Sequence, residues 1–225
     1  MMINAKDIRV IIGVIGNVLS TVVSLSYVPR FIQIYKKKSV EGYKVNRQLL
    51  MLAKCSLWVL YGIPFVHNDS NSILVSTSNG VGFVIEVIYV VVFWINCNDE
   101  SRKGHDLISL IFVITFVSTV YSITILAFWS SPYKHILVGV VCDAFNIWLY
   151  LHLSLNKMEK NKNFTYMPFW LSLVSFINAG IWSAYALIYK IDIYVLINSG
   201  VEALFCAFQL IVHACSCIRQ LCVNV

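Results

Sequence analysis

Seven apolar stretches, each long enough to cross a bilayer, follow one another almost without pause from Ile11 to Cys217. That pattern decides the solvent before any detail of the fold. The spans read as 10–32, 48–66, 72–96, 107–129, 135–156, 167–189 and 192–217. At 1.5 Å per residue, roughly 20 apolar residues cross about 30 Å of hydrocarbon. Backbone polar groups in lipid need partners within their own segment, so the spans are expected to be helices. Hydrophobic residues make up 59% of the chain and charged residues only 12%, roughly half the charged share of a soluble domain. A water-soluble core of this composition would have little polar surface left to face water. The first apolar run, from Val10, is too long for a secretory signal and lacks a clear small-residue cleavage site. It reads as the first span.

An odd number of spans puts the termini on opposite sides, and Lys and Arg choose the orientation. One side carries Arg30, Lys36, Lys37, Lys38, Lys44, Arg47, Arg102, Lys103, Lys157, Lys160, Lys162 and Arg219, which is twelve. The other carries Lys6, Arg9, Lys134 and Lys190, which is four. The positive-inside rule then predicts an outside N-terminus and a cytosolic C-terminus. The net charge of +6 follows from these loops and points to membrane orientation, not to nucleic acid. None of the seven cysteines falls in a predicted outside loop, so no disulfide framework is expected. Cys215, Cys217 and Cys222 sit at the cytosolic edge, where a thiol can be palmitoylated. Asn68-Asp69-Ser70 is a glycosylation sequon on the outer side, in a loop that hugs the membrane. Asn163-Phe164-Thr165 is a second sequon, on the cytosolic side, and is expected to be silent.

The spans fall into an internal repeat. Residues 10–96 and 135–217 each hold three, with landmarks in the same order. Each begins with a helix running into a Lys-rich loop, Tyr35-Lys36-Lys37-Lys38-Ser39 and Lys157-Met158-Glu159-Lys160-Asn161-Lys162. Each second helix carries Trp-x-x-Tyr, Trp58 to Tyr61 and Trp182 to Tyr185, offset by 124. Each third begins near an Asn, in Ser78-Asn79-Gly80-Val81 and Asn198-Ser199-Gly200-Val201. The fourth span has no counterpart. Three helices plus one linker give both halves the same orientation, a parallel repeat, and carriers of that kind hold substrate near the midplane. The expected fold is an all-α membrane protein of 3+1+3 spans. Its first triple-helix bundle is 8–97, a cytosolic loop and linker helix fill 98–130, the second bundle is 131–217, and 218–225 is a short tail.

The motifs that carry these landmarks resemble the SWEET sugar transporters, over residues 11 to about 217. They are Gly13-Val14-Ile15-Gly16-Asn17, Lys38-Ser39-Val40-Glu41-Gly42, Leu57-Trp58-Val59-Leu60-Tyr61-Gly62-Ile63-Pro64-Phe65 and Leu74-Val75-Ser76-Thr77-Ser78-Asn79-Gly80-Val81-Gly82. Ile85-Glu86-Val87-Ile88-Tyr89 and Met167-Pro168-Phe169-Trp170-Leu171-Ser172-Leu173 complete the set. The resemblance implies a facilitator that passes mono- or disaccharides in either direction by rocking two bundles, without an ion gradient or cofactor. It also implies multi-pass insertion, most naturally in the plasma membrane, and homo- or hetero-oligomers with family members.

Asn79 and Asn198 are the substrate candidates. An amide donates and accepts, which suits a sugar hydroxyl, and the matching asparagines of the family contact the sugar. Helix–helix hydrogen bonding is the competing role for such residues, at about 1 kcal/mol or less. The resemblance makes Trp182 the stacking surface for the sugar, with Trp58 at the equivalent level; interfacial anchoring is the plainer role for a membrane Trp. It places Val23 and Ile147 on the pocket wall. It also expects prolines at four positions near the cytosolic helix ends, and these read Tyr27, Arg47, Leu151 and Pro168. Pro29, two residues displaced, is not counted among them, so stiffer helices are expected.

Lys54, Asp143 and Glu202 place charges inside spans, where an unpaired one costs about 3 kcal/mol or more. Equal depth in the two halves suggests a Lys54–Asp143 pair, with Glu202 as the competing partner. Glu86, two turns beyond Asn79, reads as structural. The five histidines lack metal-ligand spacing, and no nucleotide-binding glycine loop or nucleophile–base set is legible, so no enzyme is expected. Two other functions stay open: a transport-impaired partner of active family members, and a carrier coupled to protons through its carboxylates.

Overall fold

The computed structural model describes residues 4–40, 42–67, 72–160 and 169–223, with side chains given outside 153–160 and 216–223. Pro168 and both sequon asparagines, Asn68 and Asn163, lie outside the described residues. Among the described residues every regular element is a helix: α1 (Ala5–Leu25), α2 (Val28–Lys37), α3 (Asn46–Gly62), α4 (Ile73–Asn96), α5 (Glu100–Leu126), α6 (Lys134–Lys160), α7 (Phe169–Leu187) and α8 (Ile193–Val223). Seven spans were expected, and six helices are long and apolar enough to cross a membrane, with α1 and α2 counting as one. The exception is α3. It has 17 residues, about 25 Å of helix, and carries Arg47 and Lys54. It is also the most enclosed helix, burying Leu49, Leu52, Ala53, Leu57, Trp58, Leu60 and Tyr61. A helix wrapped by protein need not be apolar toward lipid. By contrast, α5 buries only Val113 and Thr124 and turns Ile108, Phe112 and Leu126 outward, as a lipid-facing helix should.

The chain forms two compact units: Met1–Val23 with Asp143–Val225, and Ser24–Cys142. In the second unit α3 packs on α4 and α5, and α2 packs on α4. The α3–α4 hairpin is stitched by hydroxyls: Ser72 Oγ donates to the Gly62 carbonyl at 3.1 Å and Ser76 Oγ to the Val59 carbonyl at 2.7 Å. Phe31 stacks on Tyr89 at 4.2 Å between ring centroids, and the Tyr89 hydroxyl donates to the Ser24 carbonyl at 2.9 Å. Asp99 caps α5 by accepting from the Arg102 backbone N–H at 3.2 Å, satisfying a donor the helix cannot.

In the first unit α7 packs on α8. Ser183 Oγ donates to Ser199 Oγ at 2.9 Å, and Asp192 caps α8 by accepting from the Val195 N–H at 3.2 Å.

The first span is interrupted. α1 stops at Leu25, Tyr27 is the N-cap of α2, and Pro29 occupies the second position of α2. Proline has no N–H to give the carbonyl four residues back, which here is Leu25, and its ring crowds that carbonyl. Pro29, not counted among the hinge positions in the sequence, thus coincides with a helix break, which sits one turn before it, where that rule puts it.

Candidate functional site

Each unit contains one of the two predicted asparagines. In the first unit four helices contribute polar side chains to two hydrogen-bonded groups. Ser20 of α1 donates through Oγ to Asn178 Oδ1 at 3.1 Å and accepts from Trp182 Nε1 at 3.0 Å. Asn178 and Trp182 both lie on α7, four residues apart and so on one face, and both are buried. On the neighbouring helices Asn146 Nδ2 donates to Asn198 Oδ1. That bond orients the Asn198 amide and leaves its N–H groups to donate elsewhere. The Trp182 edge is thus fixed by Ser20, with Tyr185 set edge-on at 5.2 Å. α1 comes so close to the indole that a Cβ on Gly16 would lie 2.9 Å from Trp182 Cε2.

In the second unit Asn79 is half-buried on α4 and donates to the Val75 carbonyl at 2.9 Å. Its Oδ1 and its other N–H remain for a ligand. Trp58 is buried on α3 and meets Tyr61 edge-on at 5.3 Å. Its Nε1 finds no hydrogen-bond partner among the described residues.

The remaining candidates scatter. Val23 and Lys54 are half-buried. Ile147 and Leu151 are exposed. Asp143 is buried on α6, its Oδ1 without a hydrogen bond among the described residues, in the electrostatic reach of Asp192. Lys54 belongs to the second unit and Asp143 to the first. Two of the substituted hinge positions come together: the Arg47 guanidinium lies over the Tyr27 ring, 4.0 Å from its centroid. Where prolines were expected, a cation–π contact joins α3 to the α1–α2 break.

Sequence reasoning passed over Ser20, Asn146 and Asn178, which hold the predicted Trp182 and Asn198 in place. It also passed over Arg9, read as an outer-loop charge. Arg9 is fully buried, 4.5 Å from the Tyr185 ring centroid.

A family described as sugar efflux transporters for intercellular exchange matches residues 10–101 and 136–221, the two segments that carry the internal repeat. Bidirectional sugar transporter SWEET8 of Arabidopsis thaliana is 44% identical over 215 residues, covering 94% of this chain and 89% of that protein. SWEET4 of the same plant is 41% identical, covering 95% and 84%. The solved structure of a eukaryotic SWEET transporter superposes with a TM-score of 0.80 at 26% identity, covering 94% of this chain and 98% of that one.

Proposed function

The chain belongs to the SWEET family of sugar efflux transporters, and on that premise we propose that it passes a mono- or disaccharide across a membrane in either direction by alternating access. The observation that carries the reading is the family match over both repeats. The local geometry supports it. Asn79 and Asn198 each keep donors or acceptors after their protein contacts are counted, as a hydroxyl-bearing ligand requires. Trp182 is buried with its indole N–H bonded to Ser20, so its ring is held in one orientation. Trp58 holds a buried N–H without a partner among the described residues, a donor a sugar hydroxyl can take up.

In this reading the bundles 8–97 and 131–217 are the moving bodies, residues 98–130 link them, and the N-terminus faces outside. The chain is a multi-pass carrier, not an enzyme. It resides in the plasma membrane and assembles with family members. The test is uptake of radiolabelled glucose and sucrose by cells lacking their own sugar carriers. Wild type is measured beside Asn79→Ala and Asn198→Ala at matched surface expression. Wild type should accumulate one of the sugars and each variant should lose at least about tenfold of its uptake, the scale of one polar group left without its hydrogen bond. Variants as fast as wild type would remove the asparagines from the pathway.

A second reading, a transport-impaired partner of active members, draws on one observation: Arg47 and Tyr27 tie α3 to the α1–α2 break where the family flexes. It expects no uptake by this chain alone at any expression level, together with a change in uptake by a co-expressed active member.

A further inference from the structure

Two histidines of the second unit meet at the start of α6. His67 closes the turn after α3, its N–H bonded to the Ile63 carbonyl at 3.1 Å. His135 is the second residue of α6. Their rings cross at 72° with centroids 6.0 Å apart. Two imidazoles bound to one zinc at about 2.0–2.1 Å and a tetrahedral angle have centroids about 5 Å apart. A small side-chain adjustment therefore brings both onto a common ion. The rings cross instead of stacking, as they do around a tetrahedral centre.

The tautomer of His135 is set as well. Its Nδ1 lies 2.9 Å from the Pro132 carbonyl oxygen. A carbonyl only accepts, so Nδ1 carries the proton and Nε2 keeps its lone pair. Metal-bound histidines are held this way, one ring nitrogen donating to a backbone carbonyl while the other ligates. His67 is steadied edge-on by Tyr61 at 5.3 Å. The nearest cation in sequence, Lys134, is engaged by the Phe65 ring at 4.0 Å and the Trp129 carbonyl at 3.4 Å. Both histidines are half-buried and so reachable from water.

We propose that His67 and His135 form a binding site for one divalent transition-metal ion of the imidazole-preferring kind, zinc above all. Two side chains make an open site, with water completing the coordination, so affinity is modest and occupancy follows the metal concentration outside. His67 belongs to the first repeat and His135 to the second. On the transport reading given above, with bundles 8–97 and 131–217 as the moving bodies, a bound ion ties the turn after α3 to the start of α6 and arrests the cycle.

The experiment has two arms. In the first, zinc is titrated onto the purified full-length chain in detergent while its thermal unfolding midpoint is followed. Magnesium, which prefers oxygen ligands, is the control. Zinc should raise the midpoint and magnesium should not; His67→Ala and His135→Ala should each abolish the rise, and His105→Ala should keep it. In the second arm, sugar uptake is measured against zinc, each variant normalised to its own zinc-free rate. The half-inhibiting concentration should rise at least about tenfold in either single variant. It should rise no further in the double variant, because both residues serve one ion. Zinc that leaves the midpoint unmoved, or inhibits wild type and variants alike, overturns the site. If the wild type moves no sugar at all, the transport reading fails and the thermal arm alone decides the metal site.

Discussion

At the scale of single residues, close approach decides which glycines are fixed. A Cβ on Gly62 would lie 2.7 Å from the Ser72 carbonyl oxygen, from the Ser76 backbone nitrogen and from Ser76 Oγ. Backbone atoms on a packed hairpin cannot retreat. Gly62→Ala should therefore cost about 1–3 kcal/mol of overpacking and lower the thermal midpoint in detergent. At Gly80, one residue past Asn79 on α4, a Cβ meets nothing within 4 Å. Gly80→Ala should be neutral or gain up to about 1 kcal/mol of helix propensity. Equal midpoints for the two variants would show that the α3–α4 hairpin is looser than its hydrogen bonds imply. The residue scale is also where the sequence was least legible. Asn79, Asn198 and Trp182 stood out through their repeat positions. Ser20 did not, because one hydroxyl among many in an apolar run carries no period. Its partners Asn178 and Trp182 lie about 160 residues away along the chain. Asn146 was hidden for the same reason.

Helices were read more reliably than their interruptions. Six of the seven expected spans are evident from length and apolarity alone, because lipid forces an unbroken apolar run. The seventh, α3, was legible as a span but not as an enclosed helix. Its Lys54 reads in sequence as a costly charge and its Arg47 as a substituted proline; both sit on a helix enclosed by protein. The α1–α2 break was misjudged because the position expected to hold proline holds Tyr27, and Pro29 was discounted. Yet an N–H missing at residue 29 removes the bond to the residue 25 carbonyl wherever the family keeps its own proline. Pro29→Ala restores that donor. It should join α1 and α2 into one continuous helix, with amides 26–29 more protected from hydrogen exchange than in wild type. Sugar exchange should slow while the unfolding midpoint holds or rises. Unchanged protection at these amides would mean that the Arg47–Tyr27 contact, not the proline, maintains the break.

Across the whole molecule the repeat is visible in geometry as well as in sequence. Trp58 and Tyr61 meet at 5.3 Å and 71°; Trp182 and Tyr185, in the other unit, meet at 5.2 Å and 72°. Each unit also has a cation over an aromatic ring, Arg9 on Tyr185 and Lys134 on Phe65. The apolar scaffold has been kept in both halves, while the polar partners have diverged. Trp182 Nε1 has Ser20, whereas Trp58 Nε1 has no partner among the described residues. A buried donor without a partner costs about 1–3 kcal/mol, and a hydrogen bond inside a membrane contributes about 0.6 kcal/mol on average. Phenylalanine keeps an aromatic ring and removes the N–H. Trp58→Phe relieves the unmet donor and offsets the lost ring volume, so the sugar-free protein should unfold within a degree or so of wild type. Trp182→Phe loses both volume and a made bond, leaves Ser20 with Asn178 alone, and should unfold clearly lower. Sugar binding should reverse the ranking for Trp58. If its N–H is kept for a hydroxyl, the stabilisation that sugar gives wild type, which grows with the ligand's affinity for the folded state, should shrink in Trp58→Phe. Equal sugar-induced shifts in wild type and Trp58→Phe would leave that N–H without a role in binding.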